Sequence, residues 1–267
     1  MHAVPSVILA FALVMTTGAQ AAGKKLDTAK IEQITGMKGT FNAKENVFKV
    51  TMPRADVPVS VEGWKMPPFM GLGPWAAFTP RGSGAMVMGD MVLFQDEVNP
   101  VMSVALASGL EVTALHNHFF YDEPKVYFMH IGGAGPTEKL AGGVRAIFDK
   151  VKEIRAQNSL PPNAFPGERL PEKSSINGEP LERILGVKGQ ANNGMYKVVI
   201  GRTTKMGGTT VGNEMGITWA GFAGSDDNAV VDGDFAMLEG ELQTVLKSMR
   251  RAGINIVAIR QAPDGGA

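Results

Sequence analysis

Ile31-Glu32-Gln33-Ile34-Thr35-Gly36-Met37-Lys38-Gly39 returns later in the chain as Leu181-Glu182-Arg183-Ile184-Leu185-Gly186-Val187-Lys188-Gly189. The residues after each copy also match. Phe48-Lys49-Val50 is answered by Tyr196-Lys197-Val198, Arg54 by Arg202, and Met70-Gly71 by Met215-Gly216. Trp75-Ala76-Ala77-Phe78 recurs as Trp219-Ala220-Gly221-Phe222, and Ala85-Met86-Val87-Met88-Gly89-Asp90 as Ala229-Val230-Val231-Asp232-Gly233-Asp234. Gly109 then falls on Gly253, and Val112-Thr113-Ala114-Leu115 on Ile256-Val257-Ala258-Ile259. Self-similarity of this kind reads as a tandem duplication of one supersecondary unit.

Each unit mixes helix and strand, so the expected fold class is α+β with antiparallel sheets. Residues 26–35 read as a helix, with Asp27 or Thr28 as cap and Gly36 as stop. Val47–Met52 reads as a strand, and Val57–Val61 as an edge-like one because of Pro58. Trp75–Phe78 and Ala85–Met88 read as a hairpin closed by Gly89-Asp90. Gln95–Ala107 reads as an amphipathic helix, Leu110–Leu115 and Lys125–His130 as strands, and Gly132–Pro136 as a loop. The last helix of the unit runs from Pro136 to about Gln157, with Leu140, Val144, Ile147, Phe148 and Val151 as its apolar stripe. The expected domains are a first complete repeat (26–157), a linker rich in Pro, Ser, Asn and Glu (158–180), and a second, incomplete repeat (181–261). Residues 262–267 read as a solvated tail. At the spacing that places Gly109 on Gly253, His116 falls on Arg260, and the chain carries no second copy of the later strand and helix.

The 267 residues are 44% hydrophobic and 19% charged with no net charge, which allows a sizeable core and gives no basic field for nucleic acid. The absence of cysteine excludes disulfides, thiolate metal sites, Cys nucleophiles and iron–sulfur clusters. Val7–Met15 is an apolar run succeeded by Ala19-Gln20-Ala21, the pattern of a cleaved signal peptide over residues 1–21. The n-region carries no Lys or Arg, and an uncleaved N-terminal anchor is the alternative. The expected location is periplasmic or extracellular, with no transmembrane segment after signal cleavage.

Of the four histidines, one is His2 and the others are His116, His118 and His130. Alternation in a strand puts His116 and His118 on one face about 7 Å apart. An even-with-even register then brings His130 opposite or diagonal to His116. Three imidazoles converging in this way suit zinc or another transition metal, with a coordination position left open. Glu123 and Asp122, in the connecting loop, are candidates for a carboxylate ligand, and Glu123 for a general base. The competing readings are a metal-independent module that binds a small ligand or an envelope partner, and a hydrolase using metal-activated water. Asn117 points the other way and reads as structural.

Other signals are weaker. Asp90 and Asp234 each come after a Gly at an expected strand-to-helix turn, which reads as helix capping. Gly132–Pro136 lacks the Lys-Ser/Thr of a P-loop. Trp75 and Trp219 read as core residues, and Trp64 as a groove residue. No Gly-x-Ser-x-Gly supports a serine hydrolase. The His-Asn-His string spells an HNH nuclease, but the neutral charge opposes a nucleic-acid partner.

Gly89-Asp90, Ala114-Leu115-His116-Asn117-His118, Glu123-Pro124 and Phe128-Met129-His130-Ile131-Gly132 together resemble the LppY/LpqO family of exported bacterial proteins (DUF1259). The resemblance spans essentially all of the chain beyond the leader. It implies export and brings no established activity. Family members resemble one another in carrying a His-x-His segment in the second unit too, from which this chain departs at Arg260.

Overall fold

The computed structural model describes residues 25–201, 203–206, 208–212 and 218–260. The expected signal peptide, Arg202, Met215-Gly216 and the tail lie outside these residues.

The first unit opens with α1 (Thr28–Thr35), capped by the Asp27 carboxylate, which accepts the Lys30 N–H at 2.9 Å. Gly36, at φ 70°, ends the helix in a left-handed turn that suits glycine. Next are β1 (Gly39–Asn42), β2 (Val47–Thr51), β3 (Val59–Val61), β4 (Trp64–Met66), β5 (Trp75–Arg81) and β6 (Gly84–Phe94). Then come α2 (Val98–Ala107), β7 (Glu111–His116), β8 (Asp122–Glu123), β9 (Val126–Gly135) and α3 (Thr137–Gln157). The second unit comprises α4 (Gly178–Leu185), β10 (Gln190–Asn192), β11 (Met195–Val199), β12 (Thr204–Met206), β13 (Thr209–Val211), β14 (Thr218–Gly224), β15 (Ala229–Phe235) and α5 (Leu242–Arg251).

The fold is α+β. A six-stranded antiparallel sheet runs in the order β1-β2-β5-β6-β9-β7. Its inner face, with Phe48, Val50, Phe78, Val87 and Met129, packs in one core with Ile31 of α1, Met102 of α2 and the expected stripe of α3. A small sheet, β4-β3-β8, lies over one end of the outer face, where Val59 and Met66 pack with Val92, Phe94, Val126 and Phe128. The four-stranded sheet of the second unit, β10-β11-β14-β15, repeats the order of the first four strands of the large one.

Several expectations change. Asp90 caps no helix: β6 continues to Phe94, so Gly89-Asp90 lies inside a long strand and α2 begins only at Val98. Gly132–Gly135 extends β9 instead of forming a loop. β3 is central in its sheet, and Pro58 lies just outside it, where no ladder donor is needed. Trp75 and Trp219 are partly exposed, each beneath a lysine: Lys49 Nζ lies 4.2 Å from the Trp75 ring and Lys197 Nζ 4.3 Å from that of Trp219. Alternation explains this, since Ala76 and Phe78 take the inward positions of β5.

A buried ion cluster ties the loop before β3 to the end of β6 and to two helices. Arg54, 1% exposed, donates through Nε and Nη2 to Asp56 at 2.9 Å each. Nη1 and Nη2 bond Glu97 at 2.7 and 2.8 Å, and Nη1 also reaches the Val92 carbonyl at 2.9 Å. Glu97 accepts the Phe94 N–H at 2.9 Å, and Arg155 of α3 lies 3.0 Å from it while also pairing with Asp96.

A second tie joins the two units. The Asn99 amide donates to the Ile256 carbonyl at 3.2 Å and accepts its N–H at 2.8 Å. The Gln243 amide does the same for Val112, at 2.9 and 3.0 Å. Leu115 and Ile259 exchange backbone bonds of 3.1 and 3.0 Å. Leu246, Ile256 and Ile259 thereby join the core of the first unit.

Removing one partner from a buried ion pair leaves an uncompensated charge, so Arg54→Ala is expected to lower stability by about 3–5 kcal/mol in urea unfolding. Burial alone would push the Asp56 carboxyl up, but the hydrogen bonds and charge of Arg54 outweigh it and hold the carboxyl below its ordinary range. Its contribution is therefore full above the unfolded value, about 3.9, and is lost as pH falls through the lower folded one. Asp56→Asn is expected to flatten the stability–pH curve below about pH 4.

Candidate functional site

The histidines sit where the covered part of the outer face gives way to the open part. β7 reaches them through a bulge between Val112 and Ala114. Val112 and Leu115 have opposite parity, yet both are buried, opposite Ile131 and Met129. The bulge absorbs one residue at Thr113 and resets the alternation. Without it His116, which shares the parity of Val112, would point into the core. With it, His116 faces outward, opposite Phe128 and diagonal to His130, while Ala114 pairs with His130.

His118 lies beyond the end of β7, and its ring is stacked on Phe128 with centroids 3.5 Å apart and planes 8° apart. His116 Nε2 and His118 Nε2 are 3.1 Å apart. The His116 and His130 rings meet edge to face at 4.9 Å. The three histidines singled out by the sequence are thus brought together. Among the described residues, however, no three His, Asp or Glu side chains already stand arranged to hold a metal ion.

The structure adds a fourth residue. β6 pairs Asp90 with His130, and Asp90 Oδ1 lies 3.9 Å from His130 Nε2. Asp90 Oδ1 is buried and has no hydrogen-bond partner. Burial pushes the Asp90 carboxyl above its ordinary range, against the pull of His130, His118 and His116. His116 is pushed down, first by burial and then by the neighbouring imidazoles, against the opposing pull of Asp90. The downward shift favours the neutral imidazole, the form that ligates metals. In the sequence, the signal for Asp90 was the recurrence of Gly-Asp in both units; its partner becomes visible only through the β6–β9 register.

The loop carboxylates separate into different roles. Asp122 is buried and accepts the Val126 N–H and the Lys125 ammonium, both at 2.6 Å. It is therefore engaged in fixing the turn. Glu123 is exposed, its backbone pairs with Ser60, and it makes no hydrogen bond or ion pair with a histidine. The Asn117 amide donates to the Val126 carbonyl at 2.7 Å, a structural role. Trp64 is exposed at the rim of the small sheet, as are Phe120 and Tyr121 on the loop after His118.

The family model described as Domain of Unknown Function (DUF1259) matches residues 29–150 and 179–262. The chain belongs to the DUF1259 family. No curated protein and no solved structure matches it. The match takes in Asp90, His116, His118 and His130. No described helix is long and apolar enough to cross a membrane.

The two adjacent loop carboxylates should respond differently to mutation. Asp122→Ala leaves a buried N–H and an ammonium without their partner, and is expected to cost about 1–3 kcal/mol in thermal or urea unfolding. Glu123→Gln is expected to stay within about 0.5 kcal/mol of the wild type.

Proposed function

We propose that this DUF1259 protein is exported and binds a transition metal ion through His116, His118 and His130, with Asp90 as a fourth ligand. The observation that carries the reading is the buried, unpartnered Asp90 Oδ1 directed at the imidazole cluster. A buried carboxylate oxygen without a donor is costly, and a cation held by the imidazoles would relieve that cost. The His116–His118 nitrogen separation of 3.1 Å is close to the roughly 3.3 Å expected between ligands of a tetrahedral ion with bonds of about 2.0–2.1 Å. A donor set of three imidazoles and one carboxylate suits zinc, and also copper, nickel and iron. Export is supported by the Val7–Met15 run and the Ala19-Gln20-Ala21 segment.

A second reading, a metal-independent module for a small ligand or an envelope partner, draws on Phe120 and Tyr121, exposed to 82% and 80% beside His118. The hydrolytic reading would need Glu123 as base, and it makes no hydrogen bond or ion pair with the three histidines.

Elemental analysis of protein purified without chelator is expected to find about one metal ion per chain, lost in His116→Ala and in His118→Ala. Metal at a hundred times its Kd should raise stability by about 2.7 kcal/mol, reversed by chelator. Protein free of metal in every preparation, with melting indifferent to zinc, copper and nickel, would sink the reading. Stabilisation by organic ligands that survives chelator would favour the second.

A further inference from the structure

The tie between the units brings the backbone of a cationic residue into the row that carries the histidines. Leu115 and Ile259 exchange both backbone bonds in antiparallel sense, so the next residues face one another and Arg260 lies opposite Ala114. Leu115 and Ile259 are buried, so Ala114, His116 and Arg260 project from the other face, the one that carries the histidines. Ala114 pairs with His130, and His130 with Asp90. One row therefore crosses the open face through Asp90, His130, Ala114 and Arg260. At about 4.8 Å per strand, Arg260 starts roughly 10 Å from His130, with only the methyl group of Ala114 between them.

We infer that Arg260 is the anion-recognition residue of this site, and that its ligand is a small molecule bearing a phosphate or carboxylate oxyanion. The inference rests on the metal reading, since the cation on the histidines supplies the second positive centre. A guanidinium matches phosphate and carboxylate through a planar fork of donors. Among the described residues only Nη2 is engaged, by Asp234 Oδ2 at 3.1 Å, in an ion pair whose side chains are 84% and 53% exposed. An exposed pair of this kind is weak, so the fork can turn to a ligand at little cost. Two positive centres on either side of a small uncharged floor favour an anion that spans them. A neutral ligand would leave the guanidinium with nothing to recognise.

The test is calorimetric titration of the metal-loaded full chain with inorganic phosphate, and separately with succinate as the carboxylate probe. Tighter binding of one probe identifies which oxyanion the site prefers. Arg260→Gln is expected to weaken binding of the preferred probe about tenfold or more, as loss of a charge-assisted hydrogen bond does, and Arg260→Lys to weaken it less. Metal content, measured on the same samples, is expected to be unchanged in both variants. Equal affinity in wild type and Arg260→Gln, or no binding of either probe to the metal-loaded wild type, would overturn the inference while leaving the metal reading intact. Absence of metal from all samples would overturn the metal reading instead. Binding that still depended on Arg260 in that case would support the anion role alone.

Discussion

The buried Arg54 fork is the constraint on which the rest of the structure depends. All five of its N–H donors are used: two on Asp56, two on Glu97 and one on the Val92 carbonyl. Glu97 stands at the start of α2 and Val92 near the end of β6, so the fork fixes where the sheet stops and the helix begins. Arg155 extends the cluster to the last turn of α3, and the Arg54 guanidinium lies 4.4 Å from the Phe94 ring. Desolvation of such groups opposes their mutual attraction, so the net stabilisation is modest compared with the cost of breaking the set. Its main effect is positional. With α2 fixed at its first turn, β7 must leave the helix at one place, and that place decides where His116 emerges.

The bulge in β7 then decides which way His116 faces. A strand whose Val112 and Leu115 are both buried cannot keep simple alternation, and the extra residue at Thr113 turns His116 outward. The side-chain amides of Asn99 and Gln243 hold the same edge from the helix side, each satisfying both backbone groups of a residue in the other unit. The edge that carries the candidate site is thus also the seam between the units, and Ile256 and Ile259 cover what would otherwise be an open strand.

Local features of the fold were legible in the sequence. The Asp27 cap, the Gly36 stop, β2, the hairpin and the stripe of α3 rest on interactions within a few residues. The clustering of His116, His118 and His130 was legible too: the even-with-even register of β7 and β9 holds, although a bulge turns His116 outward and His118 lies beyond the end of the strand, where alternation does not place it. The features that escaped depend on contacts distant in sequence. Asp90 read as a cap because the length of β6 is set by its pairing with β9, which the local pattern of Gly89-Asp90 does not reveal. Arg54 stood out only by its match to Arg202, since its partner Glu97 lies far along the chain. The outward placement of Trp75 was available in principle: Ala76 and Phe78 claim the inward phase of β5, and the tryptophan has the other parity.

The two aspartates that recur in the sequence now stand in different electrostatic settings. Asp234 meets Arg260, a guanidinium that is always charged, and the pair is complete. Asp90 faces imidazoles, His130 the nearest, and burial pushes another of them, His116, toward its neutral form. The same burial raises the Asp90 carboxyl and leaves Oδ1 without a donor. A protein that tolerated the aspartate solely as packing would be more stable with an uncharged residue there, because an unsatisfied buried oxygen opposes folding. The arrangement is self-consistent once a positive charge joins it from outside the chain. One unit carries its counter-charge covalently in Arg260; in the other, the buried aspartate oxygen that lacks a hydrogen-bond donor stands beside the three clustered imidazoles.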